Sequence, residues 1–177
     1  YKDNTIICLW SDHGWHLGEK QHWRKFALWE EATKAPMIWV VPGTTPEGEV
    51  CSRPVDYMNI YPTLADICEL PAPVNPNGQK LEGVNMRALL GDPSAAWDRP
   101  ALTTHGRNNH GLRSQRYRYI RYADGGEELY DHRSDAMEFN NLASEPSMAS
   151  VKKELAAWLP KNNVTEAPRD RNLNKTK

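Results

Sequence analysis

The sequence predicts an α/β fold in two parts: the end of a large sheet over residues 1–95 and a small antiparallel sheet closed by a helix over 96–160. Three observations predict it. The apolar runs Thr5–Trp10 and Met37–Val41 show no alternation, as strands covered on both faces do. Residues 101–130 instead mix apolar and charged positions between turn residues, the pattern of an antiparallel sheet with one wet face. Val151, Leu155, Trp158 and Leu159 then share one side of a closing helix.

The first strand spans residues 4–10 and reads as a central strand of a parallel sheet. Ser11-Asp12-His13-Gly14 follow its carboxyl end, where open α/β sheets bind ligands. Gly14 allows a sharp turn, so the side chains beside it need not alternate between faces. Residues 14–27 read as an irregular loop dense in Trp15, His16, Glu19, His22, Trp23, Arg24 and Lys25, a density that suits a binding site. A short helix over 28–33 carries Glu30 and Glu31, Pro36 opens a second buried strand, and Pro42-Gly43 closes it.

Thr44–Glu49 is a loop by composition, and Asp56 is placed to cap the next helix. Ile60, Leu64, Ile67 and Cys68 predict that helix, starting near Tyr61 because Pro62 is tolerated only in a first turn. Pro71, Pro73 and Pro76 with Asn77-Gly78 predict a linker over 70–79, and a short helix over 86–90 comes after it. Ala101–His105 is strand-like. Gly111–Ser114 and Tyr117–Tyr122 make a hairpin, and a turn at Asp124-Gly125 leads to a partner strand over Glu127–Tyr130. Residues 161–177 are polar and rich in Asn and Lys, and are expected to be disordered.

A chain of 177 residues is long enough for a domain with its own core. With 22 basic and 23 acidic residues the net charge is -1, which leaves no electrostatic case for a nucleic acid or a membrane surface as partner. The Arg and Tyr alternation over 116–122 carries no RNA-binding signature. No apolar run is long enough to span a bilayer. Cys8, Cys51 and Cys68 are odd in number and lack metal-ligand spacing; Cys8 and Cys68 read as buried thiols and Cys51 as exposed.

Asp12 offers a hard anionic oxygen and His13 an imidazole. A hard cation, which prefers oxygen ligands, would suit Asp12, with His13 either ligating through a ring nitrogen or hydrogen-bonding a substrate. His105, Arg107, Asn109, His110 and Arg113 form a polar cluster at the edge of the smaller part, with His110 and Arg113 suited to a carboxylate or a leaving group.

Ser11-Asp12-His13-Gly14, then Leu17-Gly18-Glu19, Trp23, Lys25 and Ala35-Pro36-Met37-Ile38, closely resemble the sulfatases, a branch of the alkaline phosphatase-like superfamily. The likeness is strongest to iduronate-sulfatase-like and choline-sulfatase-like members. It continues through Arg53-Pro54-Val55-Asp56, Ile60-Tyr61-Pro62-Thr63-Leu64, Leu81-Glu82-Gly83-Val84, Arg118–Tyr122, Glu128-Leu129-Tyr130-Asp131 and Asn141-Leu142-Ala143, and so covers residues 4–159. It implies that residues 1–95 are the C-terminal part of an alkaline phosphatase-like sheet. It implies a divalent cation, usually Ca2+, at Asp12 and His13, and a sulfate contact from Lys25 with His22 assisting. Trp15, His110 and Arg113 would face the substrate.

Sulfatases use a formylglycine made within Cys/Ser-x-Pro-x-Arg, and Cys51-Ser52-Arg53-Pro54 has similar letters in the wrong order. The chain is therefore expected to be the C-terminal part of a sulfatase acting on sulfated carbohydrates or small molecules, outside the cytoplasm, and inactive without the N-terminal half of the same protein. Two alternatives are a phosphonate monoester or phosphodiester hydrolase of the same superfamily and a non-catalytic sulfatase-like remnant.

Overall fold

The computed structural model describes residues 1–71 and 75–165. Residues 166–177 of the expected disordered tail and 72–74 of the expected linker lie outside the described residues. Among the described residues ten regular elements follow one another: β1 (Ile7–Trp10), α1 (Glu30–Thr33), β2 (Met37–Val40), α2 (Ile60–Ile67), α3 (Arg87–Gly91), β3 (Ala101–Thr104), β4 (His110–Arg113), β5 (Tyr117–Arg121), β6 (Glu127–Asp131) and α4 (Ala149–Ala156). Single 3-10 turns at Glu19–Gln21, Tyr57–Asn59 and Pro146–Met148 join them.

β3, β4, β5 and β6 form an antiparallel sheet in chain order, as expected from the turn residues between them. Ser114 closes the β4–β5 hairpin, its amide donating to the Tyr117 carbonyl at 2.8 Å. Gly125, at φ 89°, closes β5–β6 in a left-handed conformation that glycine adopts without strain. The register pairs Leu112 with Tyr119 and Tyr119 with Leu129. These three residues pack with Ala143 and Leu155 into the main core, which α4 covers.

The opposite face is not wet, contrary to the sequence-based expectation. Ile120 and Tyr130 pack there against Leu28, with Trp29 and Tyr122 around them. Arg118, paired with Tyr130 across the sheet, is only 2% exposed. A charged residue in a strand signals a wet face only when no counter-charge arrives from elsewhere in the chain. Here Glu30 and Glu138 both supply one. Residues 28–34 thus pack on the small sheet across the boundary expected at residue 95.

The first two strands differ more. β1 pairs with β2 in antiparallel register, Leu9 opposite Ile38, in a two-stranded sheet. The expected parallel pairing is corrected to an antiparallel one, and among the described residues Ile7, Leu9, Trp10, Ile38 and Val40 are all exposed. An apolar run without alternation reports that both faces are apolar, and carries no information about the direction of the neighbouring strand.

α2 begins after the Tyr57–Asn59 turn, with Pro62 at its third residue. Asp56 does not cap it; its carboxylate accepts the Leu102 amide of β3 at 3.3 Å. Thr63, fully buried, receives the Met86 amide at 2.9 Å, and Asn59 Oδ1 receives the Val84 amide at 3.0 Å, so residues 84–86 are tied to α2. Cys68 is exposed, just past the end of α2 at Ile67 rather than inside a helix reaching Leu70, and Cys8 in β1 is half-buried. Among the described residues no helix is long and apolar enough to cross a membrane.

Leu129 sits at the centre of the main core with no exposed surface, whereas Leu81 is 50% exposed. Leu129→Ala is expected to cost about 3 kcal/mol in urea unfolding, through lost burial and the cavity left behind. Leu81→Ala is expected to stay within about 0.5 kcal/mol of the parent.

Candidate functional site

β1 ends at Trp10, and the chain turns through Ser11–Gly14 against the start of β2 and the end of α1. The Ser11 amide donates to the Pro36 carbonyl at 3.2 Å, and the Gly14 amide to the Ala32 carbonyl at 2.9 Å. A Cβ on Gly14 would overlap the carbonyl oxygens of Glu31 and Lys34, so only glycine lets this turn lie against α1. The Tyr57 hydroxyl donates to the Ser11 carbonyl from the far side.

This turn brings Asp12, His13 and Lys25 together. His13 Nδ1 lies 2.7 Å from the Gly14 carbonyl, an acceptor, so Nδ1 carries the proton and Nε2 the lone pair. Lys25 Nζ donates to that Nε2 at 2.9 Å. Asp12 Oδ2 lies 3.4 Å from the same nitrogen on an 80% exposed side chain. One ammonium, one carboxylate and one neutral imidazole therefore converge at an open strand end. Burial, and then the Asp12 charge, push the Tyr57 phenol above its ordinary value, so it stands beside Asp12 as a neutral donor.

Aromatic rings flank the cluster. The Trp15 ring centroid is 5.8 Å from that of His13, and nearly half of Trp15 is exposed. Lys25 Nζ is 5.7 Å from the Phe26 ring centre, and Phe26 lies 5.5 Å from His105 at a 31° tilt. Sequence reasoning missed Phe26 and Tyr57. Tyr57 carried no motif, and Phe26 was distinguished only by standing next to Lys25.

The remaining candidates lie elsewhere. His22 packs edge-on to His16 at 5.1 Å and to Trp29 at 5.8 Å. Among the described residues no hydrogen bond joins it to Asp12, His13 or Lys25. His16 is 1% exposed, and burial followed by the neighbouring His22 lowers its pKa, so it stays neutral under the loop. His110 is buried, receiving Thr104 Oγ1 at Nδ1 and donating from Nε2 to Asn163, both at 2.8 Å. Arg113 donates to Glu30 at 3.1 Å, to His132 Nδ1 at 3.0 Å and to the Ser114 carbonyl. The polar atoms of His110 and Arg113 are thus engaged inside the fold, because both side chains come from β4 inside the sheet rather than from its edge.

What fixes the loop is a buried ionic network that local sequence reasoning does not reveal. Arg118 donates to Glu138 Oε1 at 2.6 Å, to the Leu28 carbonyl at 3.0 Å and to Glu30. Glu138 also accepts from His132 Nε2 at 2.8 Å and from the Glu30 amide at 2.9 Å. Burial works against ionising Glu30, but the Arg118 and Arg113 guanidiniums outweigh it and hold its carboxyl below the usual range. In Glu138 burial is likewise outweighed, by the His132 hydrogen bond and the Arg118 charge. Donor atoms of Glu30, His132 and Glu138 lie within 4.8 Å of one another, as a metal site would need. The two guanidiniums already neutralise these carboxylates, so the trio does not suit a cation. Lys20 completes the clamp, donating to Tyr130 Oη at 3.0 Å and to the Glu138 carbonyl.

The chain matches the family model described as N-sulphoglucosamine sulphohydrolase, C-terminal, over residues 18–165. It is 42% identical over 165 residues to a sulfatase of Formosa agariphila, covering 93% of this chain and 31% of the relative. It is 29% identical over 170 residues to the Delta 4,5-hexuronate-2-O-sulfatase of Bacteroides thetaiotaomicron, covering 88% and 34%. Its fold is similar to that of an enzyme solved with its substrate D-glucosamine-2-N,6-O-disulfate (TM-score 0.73, 26% identity, 88% of this chain and 33% of that chain). It is also similar to the phosphonate monoester hydrolase of Agrobacterium radiobacter (TM-score 0.69, 25% identity, 88% and 34%). The chain spans about a third of the length of the curated relatives it matches.

Arg118→Met leaves Glu30 and Glu138 buried with reduced compensation and is expected to cost about 3–5 kcal/mol in urea unfolding at neutral pH. Acid should expose the same network. Both carboxyls ionise more readily in the folded state than at their ordinary value of 4.5. Their contribution is thus fully present above that value and is lost as pH falls through the lowered folded values. The urea midpoint is expected to drop over that acid range, and to drop less steeply in Glu138→Gln.

Proposed function

Because the chain belongs to the sulfatase family through its N-sulphoglucosamine sulphohydrolase C-terminal region, we propose that it serves an enzyme that hydrolyses sulfate esters of carbohydrates. The observation that carries this reading is the convergence of Lys25, His13 and Asp12 at the open end of β1. Lys25 is the oxyanion partner: its compact ammonium neutralises charge on the sulfuryl oxygens and on the departing oxygen. His13 acts through Nε2, since Nδ1 is held by the Gly14 carbonyl. In this arrangement Nε2 accepts from Lys25, which favours a substrate-facing role for the Lys25–His13 pair and leaves cation binding to Asp12.

Sulfatases generally work with a formylglycine and a divalent cation. The Asp12 carboxylate suits a hard cation: it is exposed, and no hydrogen bond among the described residues engages it. Calcium, the ion that the resemblance implies, takes six to eight oxygens, so Asp12 would be one ligand among several. The cation would act there as a Lewis acid and template. The cysteines present do not suit the nucleophile. Burial raises the Cys8 thiol pKa, Cys51 Sγ lies 3.3 Å from the Pro93 carbonyl, and the 177 residues contain no Cys/Ser-x-Pro-x-Arg. The nucleophile and the other cation ligands would come from a further segment of the same protein. The exposed apolar residues of β1 and β2 support such a segment, because contiguous apolar surface marks an interface. Trp15 would form one wall of the pocket beside His13.

A second reading has one observation in its favour, the similarity to a phosphonate monoester hydrolase. Lys25 would serve a phosphoryl oxyanion as well as a sulfuryl one. The test is hydrolysis of paired substrates by the protein expressed from its full reading frame. A sulfated saccharide is expected to turn over with a higher kcat/KM than a phosphonate monoester. Lys25→Met is expected to lower kcat by about 10²–10³-fold, while the 177-residue chain alone hydrolyses neither substrate. Preference for the phosphonate would favour the second reading, and inertness of the full protein toward both would mark a non-catalytic member of the family.

A further inference from the structure

Phe26 is 57% exposed, although it sits beside Lys25 and one side of its ring is against His105. A large apolar ring left open next to an ammonium is a poor arrangement for a folded chain alone, since it withholds apolar area from the core. It is a good arrangement for a sugar, whose C–H face stacks on an aromatic ring while its polar edge meets charge.

The His105 side of this pair is held in place. His105 follows β3, and its amide donates to the Asn109 carbonyl at 3.1 Å. Asn109 Oδ1 in turn accepts the Ala123 amide at 2.9 Å, tying the tip to the β5–β6 turn. Gly106 and Asn108, at φ 71° and 64°, give the tip its tight form. His105 is exposed at this fixed position, with its imidazole centroid 5.5 Å from that of the Phe26 ring.

We propose that Phe26 and His105 form a sugar-ring subsite that sets the preference of this site for saccharide sulfates over compact aryl sulfates. The proposal rests on the sulfatase reading above. With a sulfate oxygen at Lys25, the Phe26 ring centre 5.7 Å from Nζ lies within reach of the group that bears the sulfate. The sugar that bears the sulfate then stacks on Phe26. His105 hydrogen-bonds a hydroxyl or carboxylate on the edge of that sugar. The subsite joins residues far apart in the chain, one from the loop after β1 and one just after β3, brought together where the loop packs on the small sheet.

The test uses the protein from its full reading frame, with a sulfated disaccharide and 4-nitrophenyl sulfate as substrates. Phe26→Ala is expected to lower kcat/KM for the disaccharide about tenfold more than for the aryl ester, chiefly through KM. Phe26→Tyr, which keeps a stacking ring, should restore most of the loss. His105→Ala should lower the same ratio, which keeps the test decisive if Phe26→Ala is poorly folded. Equal losses on both substrates, or no loss on the disaccharide, would overturn the subsite while leaving the sulfatase reading intact. Failure of the unsubstituted protein to hydrolyse either ester would overturn that reading and the subsite with it.

Discussion

Arg118 is the residue on which the rest of the structure depends. It lies inside a sheet that is covered on both faces, and its guanidinium reaches Glu30, Glu138 and the Leu28 carbonyl. Placing three charges in that environment carries a desolvation penalty of several kcal/mol per ion, which only close pairing and further hydrogen bonds offset. The pairing is close, and Arg113, His132 and the Glu30 amide use much of the remaining capacity. The result is less a source of net stability than of position. Breaking the network by removing one partner costs far more than the whole set contributes over an apolar replacement.

Position is what the site needs. The loop between β1 and α1 contains little regular structure, and its own backbone bonds, such as the Gly18 amide to the His22 carbonyl at 3.0 Å, are joined by anchors outside it. At one end Gly14 rests on the last turn of α1, and α1 is held by Glu30. In its middle Lys20 is held by Tyr130 and the Glu138 carbonyl, under cation–π contact with Trp29 and Tyr130. Asp12 and His13 are placed by the first anchor, and Lys25 lies between Lys20 and the Leu28 contact. The small sheet therefore acts as the template for a site that stands outside it.

The parts legible in the sequence came from a family pattern or from local causes. Asp12, His13 and Lys25 were picked out through the resemblance to the sulfatase pattern, and the structure brings the three together at one turn. The order of β3 to β6 followed from Ser114, Asp124 and Gly125. The parts that were not legible depend on residues distant in the chain. Arg118 meets a backbone carbonyl 90 positions away, and Lys20 one 118 positions away. Such pairs leave no periodic trace, and so Arg118 was read as part of a wet face. The one available signal was an arginine set between Tyr117 and the apolar pair Tyr119-Ile120, where a solvent-facing role fits poorly. His110 and Arg113 have site-like chemistry, but their strand points them into the fold. The apolar character of β1 and β2 was legible, and the direction of their pairing was not.

The central claim is that the clamped loop presents Asp12 to a cation and Lys25 to a sulfate. A crystal structure of the complete protein grown with calcium and a sulfated monosaccharide tests it most directly. The account predicts calcium on the Asp12 carboxylate and a sulfate oxygen within hydrogen-bond distance of Lys25 Nζ. A sulfate bound away from Lys25, or a cation bound without Asp12, would contradict it.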